Sequence, residues 1–298
     1  MKKRNLISTL LSLCLALAMC IALAVPGFAA SQKNPLFAGG SGTKTDPYEI
    51  ANVEQLLAIN TDLGANYELV ADIDFSGVSA WLPIGYYSID IEAMMNGSEE
   101  VPEALAFHGT FDGNGHTMKN LKLAAPGLFG TGVFGFTSGN AYLHDVNIED
   151  FVVTSALIAG SLVGWASGKT VIENVNVKNA NNKGLSMVGA LCGSSNGDVT
   201  VKNVKVNGGS AIGGGTYRSD EQAEPFAYQV SNCRVSNVTM KTGGRIIGSI
   251  AGYTGNNSSV KSCTATNVTL NGIKYKSQVG ADPSVIPYTE LNQFGGAL

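Results

Sequence analysis

A short pattern returns along this chain at almost constant intervals. It alternates polar and apolar residues over four positions, and its copies begin 29, 29, 29 and 30 residues apart. A fixed period of about 20–50 residues is typical of solenoids and arrays, in which each copy packs only on its neighbours. The copies begin at Asp145, Asn174, Asn203, Asn232 and Ser262.

The alternation predicts short β-strands. In Asn174–Val177 the two valines face one side of a strand and the two asparagines face the other. A glycine-bounded block such as Gly160–Gly164 follows in three repeats, and the repeat that holds residues 217–228 lacks it. No helical period is evident between residues 107 and 280. We therefore predict an all-β, single-stranded parallel β-helix in which each repeat forms one coil of two or three strands.

Stacked coils would place equivalent residues in columns about 4.8 Å apart along the axis. Asparagines in such columns can hydrogen-bond to one another as ladders, so a structural role is predicted for them. The predicted inward columns are Val146, Val175, Val204, Cys233 and Cys263, and Ile148, Val177, Val206, Val235 and Ala265. The predicted polar columns are Asp145, Asn174, Asn203, Asn232 and Ser262, and Asp150, Asn179, Gly208, Asn237 and Asn267.

The cysteines leave two interpretations open. Cys233 and Cys263 occupy the column position of Val146, where a free cysteine can act as a small apolar core residue. A bond between these adjacent coils is the alternative. Including Cys192, three cysteines follow residue 30, and an odd number argues against a disulfide framework.

The sequence predicts four segments. Residues 1–30 are expected to be a secretory signal peptide, residues 31–106 an N-terminal cap and lead-in segment with an acidic insertion, residues 107–280 the repeats, and residues 281–298 a closing segment. Asn52 and Gln55 resemble a helix capping box, which predicts a short amphipathic helix over the first coil. Residues 67–75 are expected to form one strand, and residues 179–182 and 194–197 to form turns.

Localisation and partners follow from the first segment and from charge. Lys2, Lys3 and Arg4 precede an apolar run and a small-residue cleavage pattern. A secreted protein is therefore expected, and it could be associated with the cell surface. Membrane contact would come only through this segment, if it is retained. Without it the chain has 16 Lys and Arg against 23 Asp and Glu, a net charge of −7. This acidic balance argues against nucleic acid as a partner.

Several motifs together resemble the bacterial GLUG-motif repeat proteins. The resemblance extends from residue 40 to about residue 270. It implies a right-handed parallel β-helix on secreted or surface-attached proteins, commonly associated with adhesion and carrying no catalytic motif that could be transferred. The motifs are Phe107–Thr117, Asn120–Leu121 and Gly127–Gly130, preceded by Gly40–Thr43, Asp46–Ile50, Asp72–Phe75 and Trp81–Gly85.

Candidate site residues are few. Asp112 and His116 could act as an acid–base pair, although the Asp-Gly and Asn-Gly steps between them predict a turn. No metal-ligand spacing links the histidines with the cysteines, and neither a metal nor a cofactor is expected. Insertions in repeat proteins often carry binding residues. The candidates at the two insertions are Tyr86, Tyr87, Tyr217, Arg218 and Tyr228.

Two functions remain open at this point. The first is a non-enzymatic binding or adhesion protein that recognises a glycan or a surface protein. The second is a polysaccharide lyase or glycoside hydrolase on a pectate-lyase-like β-helix. Fold alone does not decide between them, but the acidic positions of the repeats do not persist in one column, which favours the binding protein.

Overall fold

The computed structural model describes residues 34–79, 81–86, 105–125, 128–155, 158–184 and 188–213, and short strand segments between residues 228 and 275. The predicted signal peptide and the predicted closing segment lie outside the described residues. The two predicted insertions are residues 86–106 and 217–228, and of these residues 87–104 and 217–227 also lie outside the described part of the chain.

The first described segment contains a short helix between strands. Strand β1 (Tyr48–Ile50) leads into helix α1 (Val53–Ala58), which continues as a 3₁₀ turn, Ile59–Thr61. The predicted cap is confirmed, because the Asn52 side chain accepts a hydrogen bond from the Gln55 amide at 2.9 Å. The Gln55 side chain reaches back to the amide of Ala51 at 2.7 Å. Both bonds satisfy amides that a helix start leaves without helical partners.

The single strand predicted over residues 67–75 is wrong. The structure has two strands there, β2 (Asn66–Leu69) and β3 (Ile73–Asp74), separated by a bend. Strand β2 pairs with β1 and β4, whereas β3 pairs with β5, so the chain turns a corner between two sheets. The division of the chain at residue 106 stays a prediction. Even so, these early strands hydrogen-bond into the same sheets as the repeats.

Short connections join most of the remaining strands. In chain order they are β4 Thr110–Asp112, β5 Thr117–Lys119, β6 Lys122–Ala125, β7 Gly130–Thr131, β8 Phe134–Thr137, β9 Tyr142–His144, β10 Asn147–Glu149, β11 Val152–Ser155, β12 Ile158–Ala159, β13 Val163–Gly168, β14 Val171–Glu173, β15 Asn176–Gly184, β16 Val188–Gly189, β17 Cys192–Gly197, β18 Val199–Lys202, β19 Lys205–Gly213, β20 Tyr228–Ser231, β21 Arg234–Ser236, β22 Thr239–Thr242, β23 Ile247–Gly248, β24 Ser259–Lys261, β25 Thr264–Thr266, β26 Val268–Leu270 and β27 Ile273–Tyr275.

These strands form four sheets that run along one axis, which confirms the parallel β-helix. The first sheet has the order β1-β2-β4-β9-β14-β18-β20-β24. The second sheet has twelve strands, with β15 at its centre between β10 and β19. The third sheet is β23-β16-β12-β7 and the fourth is β17-β13-β8. Among the described strands every neighbouring pair is parallel except β26 and β27.

The register of the second sheet reproduces the sequence period. Ile148 lies opposite Val177, which lies opposite Val206, and the pairing continues to Val235 and Ala265. Ile148, Val177 and Val206 are all buried, so this inward column is confirmed where side chains are described. The other inward column is confirmed by the buried residues Val146, Val175 and Val204.

The cysteine interpretations stay open, because Cys233 and Cys263 lie outside the described residues. Cys192 is a free, buried thiol. Burial raises its pKa to about 12, so its thiolate is scarce near neutral pH and the residue acts as core.

The repeat without a glycine block is bridged by its neighbours. Val188 of β16 pairs directly with Ile247 of β23, 59 residues further along the chain. The third sheet therefore omits the coil that carries residues 214–227. In the first and second sheets that coil keeps its strands, β18 and β19. Strand β18 pairs with β20 of the next coil, and β19 pairs with β21 of the next coil.

The two segments predicted as turns are strands for most of their length. Residues 179–182 lie within β15 and residues 194–197 within β17. Asn179 does bend its strand, with a φ of 54°. Asn182, however, points inward, where its amide donates to the carbonyl of Gly189 at 2.7 Å and to Ser161 Oγ at 3.0 Å. An interior asparagine is acceptable here because it satisfies polar groups at the next corner.

A left-handed residue makes the corner between the first and second sheets. Asp145, Asn174 and Asn203 occupy it in successive coils with φ values of 54°, 54° and 55°. Asp and Asn tolerate this conformation better than other non-glycine residues. Their side chains also join, since Asn174 donates to Asp145 and Asn203 donates to Asn174, both at 3.0 Å. The predicted structural role of this column is confirmed for these three residues.

We predict that replacing Asn174 will separate backbone strain from the lost ladder bonds. Both Asn174→Gly and Asn174→Ala lose the ladder, but only alanine resists the left-handed backbone, at about 1–2 kcal/mol. After the greater freedom of glycine in the unfolded chain is deducted, Asn174→Ala should be less stable by about 0.5–1 kcal/mol. Chemical unfolding measures this difference.

The control is the same pair of substitutions at Asn181, an exposed strand residue that is not left-handed. There the order should reverse, with alanine more stable than glycine. Equal stability of the two Asn174 variants would contradict the corner assignment.

Candidate functional site

An open polar groove lies along the corner between the first and second sheets. We call it the corner groove, and its volume is ≈ 850 Å³. It spans several coils, so successive repeats each contribute residues to it. The lining residues are Asp112, Asn114, Gly115, Asp145, Asn147, Asn174, Asn176, Asn203, Lys205 and Arg234.

The repeat geometry explains why the groove is polar. The residue that opens each second-sheet strand points outward, and these residues stack in register from Thr117 through Asn147, Asn176 and Lys205 to Arg234. The left-handed corner column runs beside them. The corner column and the column of first strand residues are therefore both polar and outward-facing. They line the same corner in each coil that keeps the repeat period.

Hydrogen bonds hold the asparagines of the groove in place. Asn176 donates to Asn147 Oδ1 at 2.7 Å, and Asn147 donates to the carbonyl of Gly115 at 2.7 Å. With the corner ladder, these bonds fix the orientation of several amides before any ligand arrives. Such preorganisation reduces the entropy that binding would otherwise cost.

Carboxylates and a histidine gather at one end of the groove. His144 Nδ1 lies 2.7 Å from Asp145 Oδ2 and 3.5 Å from Asp112 Oδ1. The Tyr142 ring stacks on the imidazole with centroids 4.2 Å apart. One ligand atom from each of the three residues lies within 4.8 Å of the others, which would suit a divalent cation. The same carboxylates also accept protein hydrogen bonds, from Asn114 and Asn174.

The structure separates the two residues predicted as an acid–base pair. Asp112 neighbours His144, whereas His116 Nδ1 lies 3.2 Å from Asp72 Oδ1. The turn predicted between them is present, with positive φ at Asn114 and Gly115. Their catalytic role stays a prediction, as does the expected absence of a metal.

Sequence reasoning missed His144 as a neighbour of Asp112. The two are register partners in the first sheet but lie 32 residues apart, so the 29-residue period does not align them. One sequence feature could have shown the contact. Asp112 and His144 each end a short strand, directly before a turn residue or a left-handed residue.

The predicted binding residues at the insertions are mostly outside the described chain. Tyr86 is described and exposed, and it follows Gly85 at the edge of the fourth sheet rather than lining the corner groove. Tyr87, Tyr217 and Arg218 lie outside the described residues. The backbone of Tyr228 begins β20 in the first sheet. Their role in binding stays a prediction.

The neighbouring outward residues form ion pairs. Along the second sheet Asp74, Lys119, Glu149 and Lys178 alternate in sign from coil to coil. Lys119 Nζ lies 3.6 Å from Asp74 Oδ2, and Lys178 contacts Glu149. Alternation makes cross-strand neighbours attract rather than repel.

Glu173, in the first sheet, is the centre of another cluster of polar side chains. It accepts hydrogen bonds from Tyr142 Oη and Lys202 Nζ, each at 2.9 Å. Burial alone would raise the pKa of Glu173, but these two bonds outweigh it and hold the pKa below its usual range. Burial and the Glu173 carboxylate raise the pKa of Tyr142 to about 12.

Comparisons with known proteins define the class of this chain only broadly. No model of a known protein family matches it. It is 33% identical over 129 residues to Halomucin of Haloquadratum walsbyi, a match that covers 42% of this chain and 1% of that protein. The chain thus corresponds to a very small part of that relative.

One solved structure resembles the fold. It is a proposed immunoglobulin A1 protease from Bacteroides ovatus, with 17% identity and a TM-score of 0.49 over 83% of this chain and 84% of that one. The class that the structure itself defines is a parallel β-helix with a polar corner groove. In the described part of the chain, no helix is long and apolar enough to cross a membrane.

We predict a loss of stability in acid that depends on Asp74. Hydrogen bonds from Asn120 and then Ser76 lower the pKa of Asp74 to about 2, against an ordinary value near 3.9. A lowered folded-state pKa stabilises the protein above about pH 4, and this contribution is lost as the pH falls towards 2. The midpoint of urea unfolding should therefore fall over that range.

Asp74→Asn should show a smaller fall, because its side chain no longer titrates. The effect is expected to be small, since Asp74 is exposed. Parallel falls for the two proteins between pH 4 and pH 2 would contradict this assignment.

Proposed function

We propose that this chain is a secreted or surface-associated, non-enzymatic binding module whose corner groove holds a glycan. The observation that carries the proposal is the groove itself, which is long, open and lined almost entirely by polar side chains. Sugar hydroxyl groups need paired donors and acceptors, and oriented amides and carboxylates supply both. A protein partner that presents hydroxyl or amide groups on its surface is a less favoured ligand for the groove than a glycan.

The architecture suits a repeating ligand. Successive coils present similar side chains at intervals of about 4.8 Å, so contacts can repeat along an extended chain. Each contact is modest, but several on one ligand act together because the second binding event is intramolecular. The fixed amide ladder keeps these contacts aligned.

The wider context supports an extracellular setting. The segment 1–30 has the features of a signal peptide, and residues 40–270 resemble GLUG-motif repeats, which implies a right-handed β-helix linked with adhesion. The similarity to part of Halomucin, a mucin by name, agrees with a place outside the cell. We also propose that the chain is a GLUG-motif repeat protein.

Binding can be tested with an array of neutral and acidic oligosaccharides probed with the full chain. We expect retention on at least one class. Asn147→Ala/Asn176→Ala should weaken that binding by about 10-fold or more, because two oriented amides leave the groove. Titration calorimetry with the best array ligand measures the change.

The matched control is Asn181→Ala/Asn207→Ala, which removes two exposed asparagines of the same sheet outside the groove. It should bind as the unchanged protein does. An array without any retained glycan, or equal losses in the two double variants, would contradict the proposal.

One observation favours a second candidate, a glycoside hydrolase. Glu68 lies beside Asp112 in the register of the first sheet. Burial, and then the negative charges of Asp112 and Glu49, raise the pKa of Glu68 above its usual range. A carboxylic acid with a raised pKa next to another carboxylate is the pairing that glycoside hydrolysis uses.

Product formation separates the two functions. The full chain would be incubated with pectic, mucin-type and cellulosic polysaccharides, and the solution assayed for new reducing ends and for unsaturated uronates. A binding module should release neither. Release that disappears in Glu68→Gln and in Asp112→Asn, while His116→Ala retains it, would establish the hydrolase in its place.

A further inference from the structure

Two cations are stacked at one end of the corner groove. Lys205 and Arg234 are direct register partners on β19 and β21, and both side chains are exposed. They also line the groove together. Within the described part of the chain, neither of them forms an ion pair.

Like charges also stack in the first sheet, where Glu49, Glu68 and Asp112 are register partners, but the second sheet otherwise avoids this arrangement. Two positions along, the column of Lys119, Glu149 and Lys178 alternates in sign. On the neighbouring sheet, Lys202 is paired with Glu173 at 2.9 Å. Like charges on directly opposed strand positions repel, so the Lys205–Arg234 stack is unfavourable for the fold by itself.

We infer that this stack binds the anionic group of an acidic glycan, an inference that rests on the proposed function of the groove. A carboxylate or sulfate between Lys205 and Arg234 would remove their repulsion and accept charge-assisted hydrogen bonds from both. The planar guanidinium of Arg234 can hold two oxygens at once.

The groove also gives the ligand a direction. Asp145 belongs to the coil two strand spacings before Lys205, about 10 Å away, and Asp112 belongs to the coil before that. Carboxylates accept hydrogen bonds from sugar hydroxyls but repel an acidic group. The acidic sugar therefore lies over Lys205 and Arg234, and hydroxyl-rich sugars lie over Asn176, Asn147 and the carboxylates.

General electrostatic attraction does not account for such binding. The chain is acidic overall, with a formal net charge of −4. An anion approaching most of its surface is repelled, and only the local pair attracts it. Affinity for an acidic glycan thus depends on these two side chains rather than on the molecule as a whole.

The experiment measures binding of the full chain to oligogalacturonate and to its carboxyl-reduced, neutral form. A second pair, chondroitin sulfate and its desulfated form, distinguishes sulfate from carboxylate. We expect at least one acidic form to bind about 10-fold or more tightly than its neutral partner. Lys205→Gln/Arg234→Gln should remove most of that preference, through a loss of about 10- to 100-fold in affinity.

Lys119→Gln/Lys178→Gln is the matched control. It removes the same net charge from the same sheet, outside the groove, at two lysines that pair with Asp74 and Glu149. It should leave the preference unchanged. Circular dichroism and the unfolding midpoint of each variant show that loss of binding is not loss of fold.

The outcomes separate this inference from the proposed function. Equal binding of acidic and neutral forms, reduced by Asn147→Ala/Asn176→Ala, would overturn the acidic-glycan inference and leave the glycan-binding groove standing. Equal losses in the two charge variants would also overturn it, because binding would then depend on net charge. Failure of every glycan here and on the array would overturn both.

Discussion

Along the first and second sheets, each described coil is hydrogen-bonded in parallel to the next, and this places each side chain directly above its register partner. Such stacking brings together groups that would repel, clash or remain unsatisfied unless the sequence adapts column by column. The inward columns use Ile148, Val177 and Val206, which pack on one another. The corner column uses Asp and Asn, which join by hydrogen bonds. The outer charged column alternates acids with lysines.

A column that does not adapt in this way is therefore informative. Lys205 above Arg234 satisfies none of these solutions, because the two cations have no acidic partner between them among the described residues. Other charged neighbours are of opposite sign, as at Glu173 and Lys202, except for the stacked acids Glu49, Glu68 and Asp112 in the first sheet. Function is most visible in this architecture where the stacking requirement is not met by the protein alone.

The period allowed much of the fold to be predicted from residues 145–265. There the strand order, the inward faces and the Asn ladder follow from counting 29 or 30 positions. Counting fails at the first coils, because Phe111 pairs with Tyr67 across 44 residues and Leu143 across 32. The contact of Asp112 with His144 was hidden by this unequal spacing. Composition also misled: Asn182 sits in an asparagine-rich stretch that suggested a turn, but its partners come from a corner that the local sequence does not reveal.

The repeat that holds the predicted insertion at residues 217–228 shows why the corner groove can persist through an interrupted period. Among the described strands, neither the third nor the fourth sheet has a strand from this coil, and in the third sheet β16 pairs directly with β23. The first and second sheets remain continuous on either side, so Lys205 and Arg234 are in register although the insertion separates them in sequence. The corner between the first and second sheets thus keeps its spacing through this repeat. The stacked cations depend on this spacing, because any slip of the second sheet by one residue would turn one of them towards the core.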